Sequence, residues 1–491
     1  MQQIKWGIIG PGSIATAFAH SIKNVANSKL ISVFGRNIEK AKNFANEFQI
    51  SSHNNLEDFI SSPDLDAVYI ATPHSEHFVF TLEAIKHAKH VLCEKPFTMN
   101  AYESMVLIDL AQTSKVFLME AFMYRTHPQT ANILNNLNFI SDCNKKILIE
   151  ASFGFQAEVP DDHRLRNPNL GGGAILDVGC YPLTMCKLIA GHLQGLPFAD
   201  PLNLKAEGML DETGVDLKSN AHLIFAGNIE AKISCAINEE LSNNLVISSN
   251  SKSITISEPW HCGQFQDGQS SIVLADSNGA HREIKVSDGV GLFAREIEHA
   301  ADSIINKDLE SHLISHADTQ SNMFWLDQWR EEIKIDCPKS SLHHSPILKS
   351  KAFLNQSACL ENIEIPGLNK LGSRLALGCD NQISDLHAFT MFDHFYGSGG
   401  RIFDTAYIYN NGMGDKYLGD WINSRSVIDD VIVLGKAAHT PHCEPEYIKP
   451  QIIESLEKLN IPKLDIFCLH RDNPDVPISE FIDALTEIKQ E

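Results

Sequence analysis

Basic residues are scarce in this chain. Lys and Arg together number 40 against 62 Asp and Glu, so the net charge is −22. Such a surface repels nucleic acid and anionic membranes, and neither is expected as a partner. Paired cysteines are also missing: the eleven Cys are scattered, none forms a CxxC, and no Cys/His spacing suits zinc. No metal site is expected, and reduced thiols in a cytoplasmic setting fit best. No run reaches the ~18 apolar residues of a membrane helix. The first strand-like run starts at Ile4, so no leader peptide is expected. What is there is 491 residues, 43% hydrophobic and 21% charged, enough for about two to four domains with their own cores.

The chain changes rhythm twice. Residues 1–122 alternate short apolar runs (IKWGIIG, KLISVFGR, AVYIATP, HVLCEKP) with amphipathic helical stretches. That βαβ pattern predicts a doubly wound parallel sheet. Residues 123–338 carry longer period-2 runs such as KKILIEASFGF and NIEAKISCAI. These predict an antiparallel open sheet with one face covered, closed by helices in GLFAREIEHAADSII and NMFWLDQWREEI. A polar stretch reads as a linker over 339–366. The βα rhythm then returns in 367–491 with SRLALGC, GRIFDTA, DVIVLGK and LDIFCLH.

GIIGPGSIATAF sets Gly10, Gly12 and Ala15 in a G-x-G-x-x-A pattern that follows a strand and opens a helix. The first glycine serves the tight turn and the second the approach of a pyrophosphate. Ala15 lets the helix pack close, and the helix N-terminus supplies N–H groups. The next strand ends in Gly35, Arg36 and Asn37 rather than an acidic residue. Arg36 suits a 2′-phosphate, which favours NADP(H) over NAD(H); a solvated surface arginine is the competing reading.

Glu94, Lys95 and Pro96 follow the strand HVL, at the carboxyl end where open α/β sheets bind ligands. A lysine there can point at a nicotinamide and a substrate oxygen. GGGAILDVGCYP then offers Asp177 and Tyr181, four apart on one helical face. A carboxylate and a phenol so placed can hold a hydroxyl and exchange its proton; a helix-capping Asp and a core Tyr are the bland alternative.

Together GIIGPGSIA, ATPHSEH, CEKP, LMEAFMYRTHP and GGGAILDVGCYP resemble the Gfo/Idh/MocA oxidoreductase family over residues 1–338. The resemblance implies a Rossmann domain (1–122) and an α/β substrate domain (123–338). It also implies hydride transfer between a nicotinamide and a carbinol or carbonyl of a sugar, polyol or diol. Many members carry D-x-x-x-H where this chain has Asp177 and Tyr181. In that respect it is similar to the branch of dihydrodiol and xylose dehydrogenases. By that likeness Lys95 and Tyr181 are the acid/base pair, Asp177 orients substrate, and Thr72, Pro73, His77 and Glu94 lie along the cofactor. Arg164 and Arg166 either reach substrate or are surface charges. A small-molecule substrate is implied, and self-assembly is left open.

In the last segment, Asp404, Lys436 and His470 end strand-like runs, and Tyr409 follows Asp404 by five. Polar groups at the carboxyl ends of successive βα units fit a barrel active site. A Lys–Asp pair can lower the pKa of a nearby Tyr that protonates a carbonyl. The set in FDTAYIY, LGK and LHRDNP resembles the aldo-keto reductase family, with catalytic Asp404, Tyr409, Lys436 and His470. A (β/α)₈ barrel needs about 250 residues, and this segment carries four strand-like runs, so a partial barrel is expected, from a truncated fusion or, as the competing reading, a degenerate half-domain. Two other readings stand beside an oxidoreductase centred on Lys95: an aldo-keto reductase if the barrel is completed, and a non-catalytic dinucleotide sensor or scaffold.

Overall fold

The computed structural model describes residues 2–140, 145–264, 268–335, 360–382 and 385–490. The chain divides into two compact units, Met1–Lys339 and Ser340–Glu491.

The first unit begins with six parallel strands: β1 (Ile4–Ile9), β2 (Ser28–Phe34), β3 (Ser51–His53), β4 (Ala67–Ile70), β5 (His90–Glu94) and β6 (Leu118–Ala121). Their order is β3-β2-β1-β4-β5-β6, the doubly wound arrangement whose switch point lies between β1 and β4. β3 and β6 were not among the four strand-like runs. β3 is only Ser-Ser-His, too short and polar to show a period. The core is apolar and close-packed: Phe18 stacks on Tyr69 with ring centroids 4.0 Å apart, and Trp6 meets Phe18 edge-on. Each such buried ring contributes about 1.5–3 kcal/mol. Asparagines start three of the helices. Asn37, Asn55 and Asn100 accept backbone N–H groups at the N-termini of Ile38–Phe48, Leu56–Ile60 and Ala101–Ser114.

The second sheet contains β7 (Ile147–Gly154), β8 (Asn203–Leu210), β9 (Asp216–Phe225), β10 (Ile229–Ala236), β11 (Leu245–Ser249), β12 (Lys252–Ile256), β13 (Gln269–Asp276) and β14 (His281–Ser287). Its order is β14-β13-β12-β11-β7-β10-β9-β8. The sheet is mixed, not purely antiparallel as expected, because β7 and β10 run parallel along eight residue pairs. Alternation along each strand reports a covered face but not the direction of its neighbour. The two layers form one body. Helices Leu292–Asn306 and His316–Glu332 return to the Rossmann layer, where Asn27 donates to Asp302 and the Ala101 N–H to Asp327. Stretch 168–193 is long and apolar enough to cross a membrane by composition, contrary to expectation, but its apolar window is wholly buried in this unit.

In the second unit four parallel strands lie in chain order: β17 (Ala376–Gly378), β18 (Ile402–Asp404), β19 (Ile432–Ala437) and β20 (Ile466–Leu469). A small hairpin precedes them, β15 (Asn362–Glu364) paired with β16 (Leu371–Ser373). Most of the expected linker, 339–359, lies outside the described residues. Its last part is not linker but β15, a three-residue strand before the Pro366–Gly367 turn.

Candidate functional site

The turn after β1 is shaped as a phosphate cradle. Gly10 has φ +97°, and a Cβ there would stand 2.8 Å from the Ala71 carbonyl oxygen, so only glycine fits without strain. Beside Gly12 nothing comes within 4 Å of where a Cβ would be. The helix that starts there, Ser13–Ser21, has no side-chain cap and no acid in its first turn. Its N–H groups and positive end therefore face the turn, and Ala15 is fully buried against the sheet. A cleft of about 310 Å³ runs past Gly10, Gly12, Arg36, Thr72 and Pro73. These residues fit a dinucleotide.

Around the cleft, the side chain of Asn37 is engaged in capping, accepting from the Lys40 N–H at 3.0 Å. Arg36 pairs with Glu76 at 2.6 Å. His77 does not line the cleft. It is fully buried, with ring nitrogens 2.9 Å from the Pro96 carbonyl and 3.0 Å from that of Thr72. Burial, only partly opposed by these hydrogen bonds, pushes its pKa down to about 4. The neutral ring has one N–H, so it holds one carbonyl as donor at any moment and fixes the turn that carries Lys95. Glu94 also points inward. It accepts from the Tyr69 hydroxyl at 2.5 Å, and burial raises its pKa.

At the carboxyl end of β5 the chemistry-bearing groups converge. The Lys95 ammonium donates to the Asp177 backbone carbonyl at 2.7 Å. It lies 3.8 Å from the Asp177 carboxylate and 5.2 Å from the centroid of the Tyr181 ring. Asp177 sits in a π-helical turn, Ile175–Gly179, and Tyr181 in the α-helix Cys180–Leu193 that continues it. The widened turn departs from plain i, i+4 spacing, yet both groups reach Lys95. Burial alone would raise the Asp177 pKa. Lys95, Arg164 and His74 outweigh it and hold the carboxyl down at about 2. Burial, with Glu94 nearby, pushes the Tyr181 phenol well above its usual value, so it stays protonated and available as a donor. Phe122, Tyr124, Phe153 and Trp260 pack around its ring at 5.1–6.0 Å.

The two arginines before the glycines separate cleanly. Arg164 donates to the Asp177 carboxylate at 2.9 Å, inside the site. Arg166 is held by Asp211 and Asp161. His74 belongs to the site and was not anticipated. Burial pushes its pKa down to about 3, so the ring is neutral. One ring nitrogen, Nδ1, lies 2.9 Å from the Gly171 carbonyl and must be the donor. Nε2 is then an acceptor, 3.9 Å from Asp177. Gly171, with φ +78°, allows this contact, since a Cβ there would strike the His74 side chain at 2.7 Å. The only sequence signal was a histidine directly after Thr72–Pro73.

The second unit assembles its own cluster. Asp404 ends β18 and pairs with Lys436 on β19. The Lys436 ammonium lies 4.9 Å from the Tyr409 ring centroid. The Tyr409 ring is 5.6 Å from His470. Burial lowers the Lys436 pKa, but hydrogen bonds to Asp404 and Tyr409 more than compensate, and it ends raised. For His470, burial and then His439 and Lys436 lower it. All four expected residues are therefore in one place.

Residues 4–122 match the model of the GFO/IDH/MocA oxidoreductase family with an NAD-binding Rossmann fold, and residues 366–491 that of the aldo/keto reductase family. A trans-1,2-dihydrobenzene-1,2-diol dehydrogenase of Xenopus tropicalis is 30% identical over 350 residues, 68% of this chain and 99% of that protein. A D-xylose 1-dehydrogenase (NADP(+)) of Hypocrea jecorina is 34% identical over 214 residues, 39% of this chain and 54% of that one. A 3-ketoreductase of Actinomadura kijaniata, solved with NADP and TDP-benzene, superposes with a TM-score of 0.59 at 21% identity. It covers 67% of this chain and 98% of the ketoreductase, a likeness of fold alone. A nucleotide cradle, a lysine at the end of β5 and a full-length relative thus agree: the chain belongs to the Gfo/Idh/MocA oxidoreductase family, fused to an aldo/keto reductase segment.

Proposed function

We propose that the first unit transfers hydride between NADP(H) and a sugar, polyol or vicinal diol, with Lys95 and Tyr181 moving the proton. The carrying observation is the convergence of Lys95, Asp177 and Tyr181 at the carboxyl end of β5, where the sheet opens on the dinucleotide cleft. A bound nicotinamide supplies or accepts the hydride. The residues of this chain do the rest. The Tyr181 hydroxyl, kept protonated by burial, donates to the substrate oxygen when a carbonyl is reduced. The Lys95 cation over its ring favours the phenolate that is left. Asp177, a carboxylate with Arg164 and Lys95 on it, accepts from a second substrate hydroxyl, and the neutral His74 offers another acceptor. In the oxidative direction the proton returns to Tyr181.

Arg36 at the end of β2, with Lys40 on the same cleft, supports the preference for NADP(H): two cations suit a 2′-phosphate. The names of the diol and xylose dehydrogenase relatives support the substrate class. The cofactor and substrate are small molecules, and the net charge of −22 favours no nucleic acid or anionic membrane. A cytoplasmic location is part of the proposal. Initial rates with pentoses, hexoses and trans-diols, each with NADP and NAD, test it. Reduction of NADP by at least one class is expected; no turnover with any of them, in either direction, contradicts it. A second reading, carbonyl reduction by the second unit, rests on the assembled Asp404, Lys436, Tyr409 and His470.

A further inference from the structure

The cleft that takes the adenosine end of a dinucleotide holds two opposite charges in direct contact. Arg36 follows β2, its side chain 71% exposed, and Glu76 lies in the first turn of helix His74–Lys86, its side chain 19% exposed. They meet at 2.6 Å, and both line the cleft. Glu76 is the acid of that first turn.

A ribose 2′-hydroxyl is recognised by a carboxylate, and a ribose 2′-phosphate by a guanidinium. In a Rossmann domain the carboxylate usually comes from the end of the second strand. Here that place holds Gly35, Arg36 and Asn37, and the Asn37 side chain is occupied with capping. Glu76 brings a carboxylate to the same cleft from the neighbouring helix. The chain thus carries both recognition groups, joined as one ion pair.

We infer that Glu76 sets cofactor choice: it accepts the 2′-hydroxyl of NAD(H) and competes with the 2′-phosphate of NADP(H) for Arg36. With NADP(H) the phosphate must displace the carboxylate from Arg36. With NAD(H) Glu76 turns to the ribose. Discrimination between the cofactors is therefore a difference of two affinities and is smaller than Arg36 alone would give. The inference rests on the proposal that Arg36 meets the 2′-phosphate.

Fluorescence titrations of the full chain with NADPH and NADH test it, using wild type, Glu76→Gln, Glu76→Asp, Arg36→Ala and the Glu76→Gln/Arg36→Ala double variant. Glu76→Gln should tighten NADPH by about two- to fivefold, the worth of a partly exposed ion pair, and weaken NADH by a similar factor. Glu76→Asp, which draws the carboxylate back from Arg36, should move both in the same directions by less. In the double variant the NADPH gain should vanish. An unchanged ratio of the two dissociation constants in Glu76→Gln, or equal weakening of both, overturns the inference even if Arg36→Ala weakens NADPH about tenfold. If Arg36→Ala leaves NADPH binding intact, the phosphate reading itself falls and takes this inference with it.

Discussion

Both units of this molecule set a lysine ammonium about 5 Å over a tyrosine ring beside an aspartate, Lys95–Tyr181–Asp177 in one and Lys436–Tyr409–Asp404 in the other. The scaffolds differ. In the first, the aspartate side chain is only 7% exposed and is crowded by Arg164 and His74 as well as by Lys95. In the second, Asp404 is 32% exposed, and Lys436 is the residue it pairs with among the described ion pairs. The unit that carries the first triad also carries a glycine cradle with an uncapped helix end. The second stands on a four-stranded parallel sheet in which, among the described residues, β17 and β20 each have one neighbour, whereas a closed barrel has eight strands. A Lys–Tyr–Asp triad is thus a local arrangement that several backbones can build. Binding the hydride carrier is a property of the whole sheet, and here that property is visible in the first unit.

The largest expected effect separates the two triads directly. Lys95→Ala should lower kcat for sugar or diol oxidation by about 10²–10⁴-fold, the range of a lost proton-transfer group, with NADPH affinity within about twofold. Tyr409→Phe should leave the same rate unchanged. Loss of this activity in Tyr409→Phe would move the chemistry to the second unit. A smaller effect is expected from Asp177→Asn, which removes the charge on which Lys95 and Arg164 converge. It should reduce kcat/KM by about tenfold or more, while Asp404→Asn does nothing to the same reaction. The smallest concerns stability. Burial pushes the Glu120 pKa up to about 8, so the folded chain holds a proton there that the unfolded chain releases near its ordinary value. Stability from this group is present at low pH and is lost as pH rises from about 4.5 through 8. Glu120→Gln should flatten the fall in thermal midpoint of the first unit between pH 5 and 8 without touching the second, as calorimetry would read.

Much of this comparison was legible in the sequence, because both triads sit at strand ends that announce themselves. Gly10 follows IKWGII directly, and Lys95, Asp404 and Lys436 each close an apolar run. What escaped were features made by chain crossings rather than by periodicity. His74 enters the site because Gly171, 97 residues away, yields its carbonyl. Arg164 and Arg166 differ by two positions in an irregular loop, yet one meets Asp177 and the other Asp211. The parallel pairing of β7 with β10 is a register between distant segments. β3, β15 and β16 are three residues each, Ser-Ser-His, Asn-Ile-Glu and Leu-Gly-Ser, without the apolar run that marked the equally short β17 and β18.

The most direct test of the central claim, that the working cofactor site is the β1 turn of the first unit, is the stoichiometry of NADPH binding to the whole chain and to its Gly10→Val variant. A valine cannot adopt φ +97° without strain, and its Cβ would press on the Ala71 carbonyl. One site per chain, lost or weakened more than about tenfold in the variant, is the predicted result. A site of unchanged affinity in Gly10→Val would contradict the account.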